Sequence, residues 1–316
     1  MIGTVFKALR RKYMDVTLRS GSDYVVRIIE RPGLWMSSAE IAALSADLRA
    51  VASRTLTGDL TYGVFSGDKA RMEQVIITLV RRGDGTPVAF NALAVMTLET
   101  APEPTEVLHL GLVMVDPDER SKNLSWVLYG LTCFLIFFRR QFRPIWISNV
   151  TQVPAVVGMV SEMFSHVWPK PGDERRTLTH LLLARHIMAD HRDVFGVGPD
   201  AGFAEERFVI TDAYTGGSDD LKKTFEEAPK HRDMRYQAFC EEELDYDRGD
   251  DVLQLGQMDL AAMRTYLARE VPKSAVLGLL VTGGLVALRR IVLPVTYWAD
   301  SATQWGTLRP AKDDIR

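Results

Sequence analysis

Between Asp23 and Glu30 the chain crowds β-branched and apolar residues (DYVVRIIE), and Pro32-Gly33 ends the run, as expected of a strand closed by a turn. Ser37 or Ser38 then opens a helix, with Glu40 near the capping-box position and an apolar stripe through Ile41, Leu44, Leu48 and Val51. Two strands are expected over 74–81 and 87–98, joined by the turn Arg82-Gly83-Asp84-Gly85. After the proline-rich connector 101–104, residues 107–115 read as another strand. Strand, helix and three consecutive strands predict an antiparallel meander with helices on one face.

The pattern then changes. A polar loop, 116–125 (DPDERSKNLS), runs into a long apolar helix over 126–138 that ends at Arg139-Arg140. A strand follows over 144–150, and Pro154 starts a helix carrying Val156, Val157, Val160, Met163 and Phe164. Strand, loop, helix, strand and helix make a βαβα unit whose two strands should be parallel neighbours. Unpaired N–H groups at a helix start face whatever lies there, and the helix dipole favours negative charge. A loop with Arg120 and Lys122 opening such a helix is either a pyrophosphate cradle or a plain surface turn with two solvated cations.

The stretch 113–125 (VMVDPDERSKNLS) resembles the GNAT superfamily of acyl-CoA N-acyltransferases. It aligns with that family's strand ending in V-x-P and the R-x-x-G-x-G/A loop after it. Arg120 is kept, Asn123 and Ser125 stand at the two glycine positions, and the family's tyrosine position falls at Met159. The likeness spans residues 22–215, mostly through element order. It implies an α+β fold: a GNAT-like mixed, mostly antiparallel sheet with flanking helices, here followed by a helical C-terminal extension. It also implies acyl-CoA as co-substrate rather than a permanently bound cofactor. The residues that would hold it are Val113, Met114, Val115, Arg120, Ser121, Lys122, Asn123, Leu124 and Ser125. The two parallel strands would splay, the pantetheine arm would pair with 113–115, and an amide near Met114 or Val115 would face the thioester oxygen.

An amine that attacks a thioester must be neutral, so a general base is needed near that strand. His109, six residues before Val115 and on the same pleat face by alternation, is the first candidate; its rival role is a hydrogen-bonded core histidine. Asn149, with Ser148, Thr151 and Gln152 beside it, would fix the pantetheine or the nucleophile. Cys133 falls inside the apolar helix and reads as packing rather than nucleophile. His180, His186 and His191 share one helix at spacings of six and five, not the i, i+4 of a metal pair, and no metal site is expected. The turn 213–223 reads as a capped helix start in preference to a second anion site, and 241–251, with seven acids and one arginine, as a solvated acidic face in preference to a surface that recognises a cationic amine.

Composition narrows the partners. Of 316 residues 47% are hydrophobic and 25% charged, and the net charge of −3 speaks against nucleic acid. Two cysteines make no disulfide framework, so a reducing cytoplasm is expected. The ends differ from the middle. Residues 1–21 open with four cations and an apolar stripe, a basic amphipathic helix that lies either on an anionic membrane or on the protein's own body. Residues 275–288 and 291–298 are two apolar runs split by Arg289-Arg290, each too short to span a bilayer, which favours a re-entrant or interfacial segment over a buried hairpin.

The expected organisation is an N-terminal helix (1–21), an acyltransferase core (22–215), a helical, acidic extension (216–270) and an apolar, basic membrane-associating segment (271–316). The expected activity is transfer of a long-chain acyl group from acyl-CoA to a lipophilic amine at the inner membrane face. Within the resemblance this is most like the bacterial ceramide synthase branch, with a sphingoid base as acceptor. A long-chain N-acyl amino acid or acyl-homoserine-lactone-type synthase has the same coarse features. A non-catalytic acyl-CoA or lipid-binding protein on the same fold is the alternative.

Overall fold

A computed structural model of the chain describes residues 12–299, apart from 22, 56–62, 66, 101–102, 121, 123, 125, 173–174, 217 and 219–220. Of the N-terminal helix expected over residues 1–21, residues 1–11 lie outside that range, and the rest is corrected: 15–20 form a strand. Strand β1 (Asp15–Ser20) pairs antiparallel with β2 (Tyr24–Glu30), Asp15 opposite Ile29. Arg27 ties the pair by donating to Asp15 at 2.8 Å.

Helix α1 (Ser38–Ala52) begins at the capping box read from the sequence: the Ser37 hydroxyl accepts from the Glu40 amide, and the Glu40 carboxylate accepts from the Ser37 amide at 2.8 Å. Strands β3 (Val75–Arg82) and β4 (Pro87–Leu98) form the expected hairpin. β5 (Thr105–His109) and β6 (Val113–Val115) both pair with β4, and β7 (Ile145–Thr151) lies parallel to β5.

Between β6 and β7 runs the apolar helix α2 (Trp126–Arg139), whose first turn, Trp126–Leu131, is π-helical. α3 (Pro154–Met163) and β8 (Ser165–Trp168) follow, then α4 (Leu178–Asp190), where the expected three-histidine helix stops short of His191. His180 is structural: its ring bonds the Thr177 cap and the His166 carbonyl (2.8 Å). Two short strands, β9 (Gly202–Ala204) and β10 (Val209–Thr211), and helix α5 (Met234–Glu243) lead to β11 (Asp251–Met258).

That last strand corrects the expected helical extension. β11 inserts between β7 and β10, pairing antiparallel with the whole of β7 from Ile145 to Thr151. The sheet order is β1-β2-β3-β4-β5-β7-β11-β10-β9, so residues 15–20 and 251–258 belong to the same sheet as the core. The fold is α+β, a mostly antiparallel open sheet with flanking helices. One face carries α2 over a core of Leu93, Leu108, Phe134 and Ile147; the other carries α1 and α4 over separate clusters around Ile77 and Leu253.

Helix α6 (Leu260–Arg269) packs Tyr266 against α2: a Cβ on Gly130 would lie 2.2 Å from the ring, and the Tyr266 hydroxyl donates to the Trp126 carbonyl at 2.8 Å. The two C-terminal apolar runs form one helix, α7 (Lys273–Ala299), not two short segments. Of the described helices it is the one long and apolar enough to cross a membrane by length and composition. Leu279, Gly283 and Val286 mark its inner face, where Gly283 admits Phe138. Arg289, one of the pair that split the runs in the sequence, is buried along the helix. Leu277, Val281, Ile291 and Val295 are exposed.

Candidate active site

The strand read as continuous over 107–115 is broken by one extra residue. Ala94 faces His109 and Asn91 faces Val113, so three steps on β4 oppose four on β5–β6. At the break the Leu110 amide turns away to the Ser148 carbonyl (2.7 Å), while the Ala92 amide bonds the Leu112 carbonyl (3.2 Å). Gly111 permits this: a Cβ there would lie 2.0 Å from the Ala92 carbonyl oxygen. The extra residue reverses the alternation. His109 points to the α4 face with Ala94, whereas Val113 and Val115 point to the α2 face with Asn91, whose amide donates to the Leu128 carbonyl. The expected common face of His109 and Val115 is therefore corrected.

β7 stays beside β5 for only three pairs, Val107–His109 with Trp146–Ser148. Beyond them β6 follows β4 while β7 follows β11, and the strands part. The gap is a cleft of about 800 Å³ lined by His109, residues 110–115, Arg120, Tyr129, residues 149–153, Tyr214 and Asp251, among others. The ladder decides which main-chain groups face it. Leu112 bonds Ala92 and the Asp116 amide bonds the Val88 carbonyl (2.9 Å), so Met114, midway, also spends its amide on β4. Val113 and Val115 turn their N–H and C=O groups to the cleft. Of the two amides expected near the thioester, that of Val115 faces the cleft and that of Met114 does not; Met114 packs its side chain into the α1 cluster.

The loop into α2 is anchored by a buried acid. Glu119 accepts from Tyr24, Arg82 and Lys122 (3.1 Å). Lys122 is thus held by a carboxylate rather than free for a phosphate. Three charged hydrogen bonds also hold the Glu119 carboxyl below its usual range against the opposing effect of burial. Asp116 caps Asp118 (3.0 Å) and pairs with Arg54 (3.1 Å). Arg120 reaches the cleft exposed, its guanidinium without a hydrogen bond or ion pair among the described residues. Leu124 is a buried core side chain whose carbonyl accepts from Val127 and Leu128 at 3.1 Å each. Ser121, Asn123 and Ser125 lie outside the described residues.

Two sets of polar groups face each other across the opening. On the α2 side, Tyr129 enters the cleft from the π-helical turn, its phenol pushed up by burial. Asn149 lines the same side and donates to Gln254 (3.3 Å), which in turn donates to the Pro169 carbonyl at 3.0 Å. On the α4 side, His109 Nδ1 lies 3.1 Å from Ser148 Oγ, and its ring sits 5.0 Å from that of Phe195. Burial lowers the His109 pKa to about 4, so the imidazole is neutral at pH 7. Asp251, buried on the same side, accepts from the Tyr214 hydroxyl at 2.9 Å, and burial pushes its carboxyl up to about 7. Cys133 is buried in the core with its thiol pushed up to about 12, a packing residue rather than a nucleophile.

Sequence reasoning gave Tyr129 and Tyr214 no role of their own and did not single out Asp251 within the acidic run. Asp251 was hidden in the acidic run, where Glu241 and Glu242 are solvated but Asp250 and Asp251 are buried. The signal was the β-pattern VLQLGQM directly after it, which marks Asp251 as the start of a strand. Among the described residues of 213–223 the expected helix is not seen; a short turn, Ala213–Thr215, is followed by Ser218 and Leu221 lining the cleft. No protein-family model and no curated protein matches this chain.

Proposed function

We propose that this protein transfers a long-chain acyl group from acyl-CoA to the amine of a lipophilic acceptor, on a GNAT-like fold, at the cytoplasmic face of the membrane. The observation that carries the reading is the parting of β6 from β7, which leaves the outward N–H and C=O groups of Val113 and Val115 without a strand partner among the described residues, along a cleft. An amide-bearing pantetheine arm is the natural complement to such an edge. The Val115 N–H is then a donor for the thioester oxygen as it becomes an oxyanion. Arg120, at the same opening, reaches the diphosphate of the nucleotide.

The chemistry needs two proton movements. The amine nitrogen bonds the thioester carbon and gives a proton to the Nε2 of neutral His109, whose Nδ1 is engaged with Ser148. As the C–S bond breaks, the thiolate takes a proton from Tyr129, which lies on the α2 side with Val115. Solvent exchange then returns the proton from His109 to Tyr129. No cofactor is consumed.

A sphingoid base is the acceptor we favour, making the reaction ceramide synthesis. An acceptor and donor of this kind both partition to a bilayer, and the exposed apolar side of α7 supports attachment there. The competing reading, a protein that binds acyl-CoA without turning it over, is favoured by Asn123, Ser125 and Met159 at the family's glycine and tyrosine positions. Incubation of the full chain with palmitoyl-CoA and sphinganine separates the two. Mass spectrometry should find N-palmitoyl-sphinganine; bound palmitoyl-CoA with no acylated amine, across acceptors and chain lengths, establishes the binding protein.

A further inference from the structure

At the far wall of the cleft two acceptor oxygens close on one hydroxyl. The Tyr214 hydroxyl lies 2.9 Å from Asp251 Oδ1. With the Gln152 amide turned so that both its ends find partners, the hydroxyl lies 2.7 Å from the Gln152 side-chain oxygen, which also accepts from the Lys223 amide (2.8 Å), while the Gln152 nitrogen donates to the Lys223 carbonyl (3.1 Å). A phenol has one proton to donate. The Gln152 oxygen keeps the Lys223 amide whichever way the phenol turns, whereas an ionised Asp251 has that one phenol at most and receives no other hydrogen bond among the described residues. Of the nearby cations, Arg248 binds Asp250 (2.6 Å) and Lys222 donates to the Asp247 carbonyl (2.6 Å), while Lys223 lines the cleft without an ion pair to Asp251 among the described residues.

Asp251 is only 5% exposed, yet it lines the cleft. A buried carboxylate short of donors costs free energy that a cation with several N–H groups removes. The same wall continues through Val150, Val194 and Phe195, an apolar surface suited to an alkyl chain. We propose that Asp251, with Tyr214 and Gln152, is an acceptor subsite that binds the ammonium head of a long-chain primary amine. Its place in a reaction rests on the acyl-transfer reading, which it deepens by making the acceptor's charge the feature recognised; the bound ammonium gives one proton to the Asp251 carboxylate before the neutral nitrogen attacks, and solvent takes that proton from the carboxyl.

The test measures binding of octylamine and of octanol by calorimetry at pH 8 to the full chain as wild type, Asp251→Asn and Tyr214→Phe. Palmitoyl-CoA affinity is measured on the same samples, with circular dichroism as the check on folding. Wild type should prefer the amine by about 10- to 100-fold, the scale of a charged hydrogen bond. Asp251→Asn should abolish the preference and keep palmitoyl-CoA affinity; Tyr214→Phe should narrow the preference and carries the test alone if the first variant does not fold. A wild type without preference, or variants that keep it in full, overturns the subsite. A preference that Asp251→Asn removes, in a wild type that releases no CoA with any amine, upholds the subsite and overturns the acyl-transfer reading.

Discussion

His109 and Val113 sit four residues apart on one edge of β4, yet their side chains leave opposite faces of the sheet. One extra residue at the break does this, and the same break sends the chain away from β7 to open the cleft. The donor and acceptor halves of the site therefore share a cause: a neutral imidazole on one face, and an amide edge with Arg120 and Tyr129 toward the other.

Gly111→Ala should close or distort this break. The added methyl would stand 2.0 Å from the Ala92 carbonyl oxygen, a backbone atom that cannot swing aside. We expect a loss of about 1–3 kcal/mol in urea denaturation together with weakened palmitoyl-CoA binding. A variant with wild-type midpoint and affinity would show that the break tolerates a side chain and does not shape the cleft.

Arg120→Ala should weaken palmitoyl-CoA by about 1.5–3 kcal/mol, the worth of a hydrogen bond to a charged group, measured by calorimetry at low salt. Lys122→Ala should weaken it less, because that ammonium already serves Glu119. Equal losses from the two substitutions would mean that the loop acts as a diffuse positive field rather than through one guanidinium.

Stability should carry the mark of Asp251. Its folded carboxyl holds a proton up to about pH 7, whereas the unfolded one releases it near 3.8. Between those values the folded state binds more protons, so this residue's contribution to stability falls as pH rises and stays low above pH 7. About three pKa units correspond to roughly 4 kcal/mol. Asp251→Asn should therefore be more stable than wild type at pH 8, by up to that amount, and equal to it at pH 4. His109 has the opposite slope: unfolded imidazole takes a proton below 6.5 that the folded one refuses until about 4, so stability is lost as pH falls through that window. Thermal melts of wild type and Asp251→Asn across pH 4–8 read the difference directly; parallel curves would show that Asp251 ionises normally.

Much of this architecture was legible locally. The Ser37–Glu40 cap, the turn at 82–85 and the βαβα order from β6 to α3 depend on neighbours in sequence, where spacing and turn chemistry act. What escaped depends on distant partners. β11 finds β7 a hundred residues away, and nothing within 251–258 names that partner. The break at Gly111 is set by the carbonyl of Ala92, so alternation alone put His109 on the wrong face. α7 is continuous because α2 gives its inner face a surface to pack on, which let the helix run through Arg289.

The outer side of α7 should bind lipid. Leu277 is 73% exposed and Ile291 61%, with Lys273 and Arg290 on the same helix. Replacing both Leu277 and Ile291 by Asp should leave the melting temperature unchanged and reduce co-sedimentation with anionic vesicles at least tenfold, since each apolar side chain is worth about 1.5–3 kcal/mol on burial. Full vesicle binding by the double variant would move the contact surface elsewhere.

The decisive measurement is the release of free thiol from palmitoyl-CoA by the full chain, with and without sphinganine. Thiol should appear only when the amine is present, in step with its concentration, and His109→Ala should slow it by about 10²–10⁴. Thiol release that is absent, or indifferent to any long-chain amine while palmitoyl-CoA remains bound, would contradict acyl transfer at this cleft.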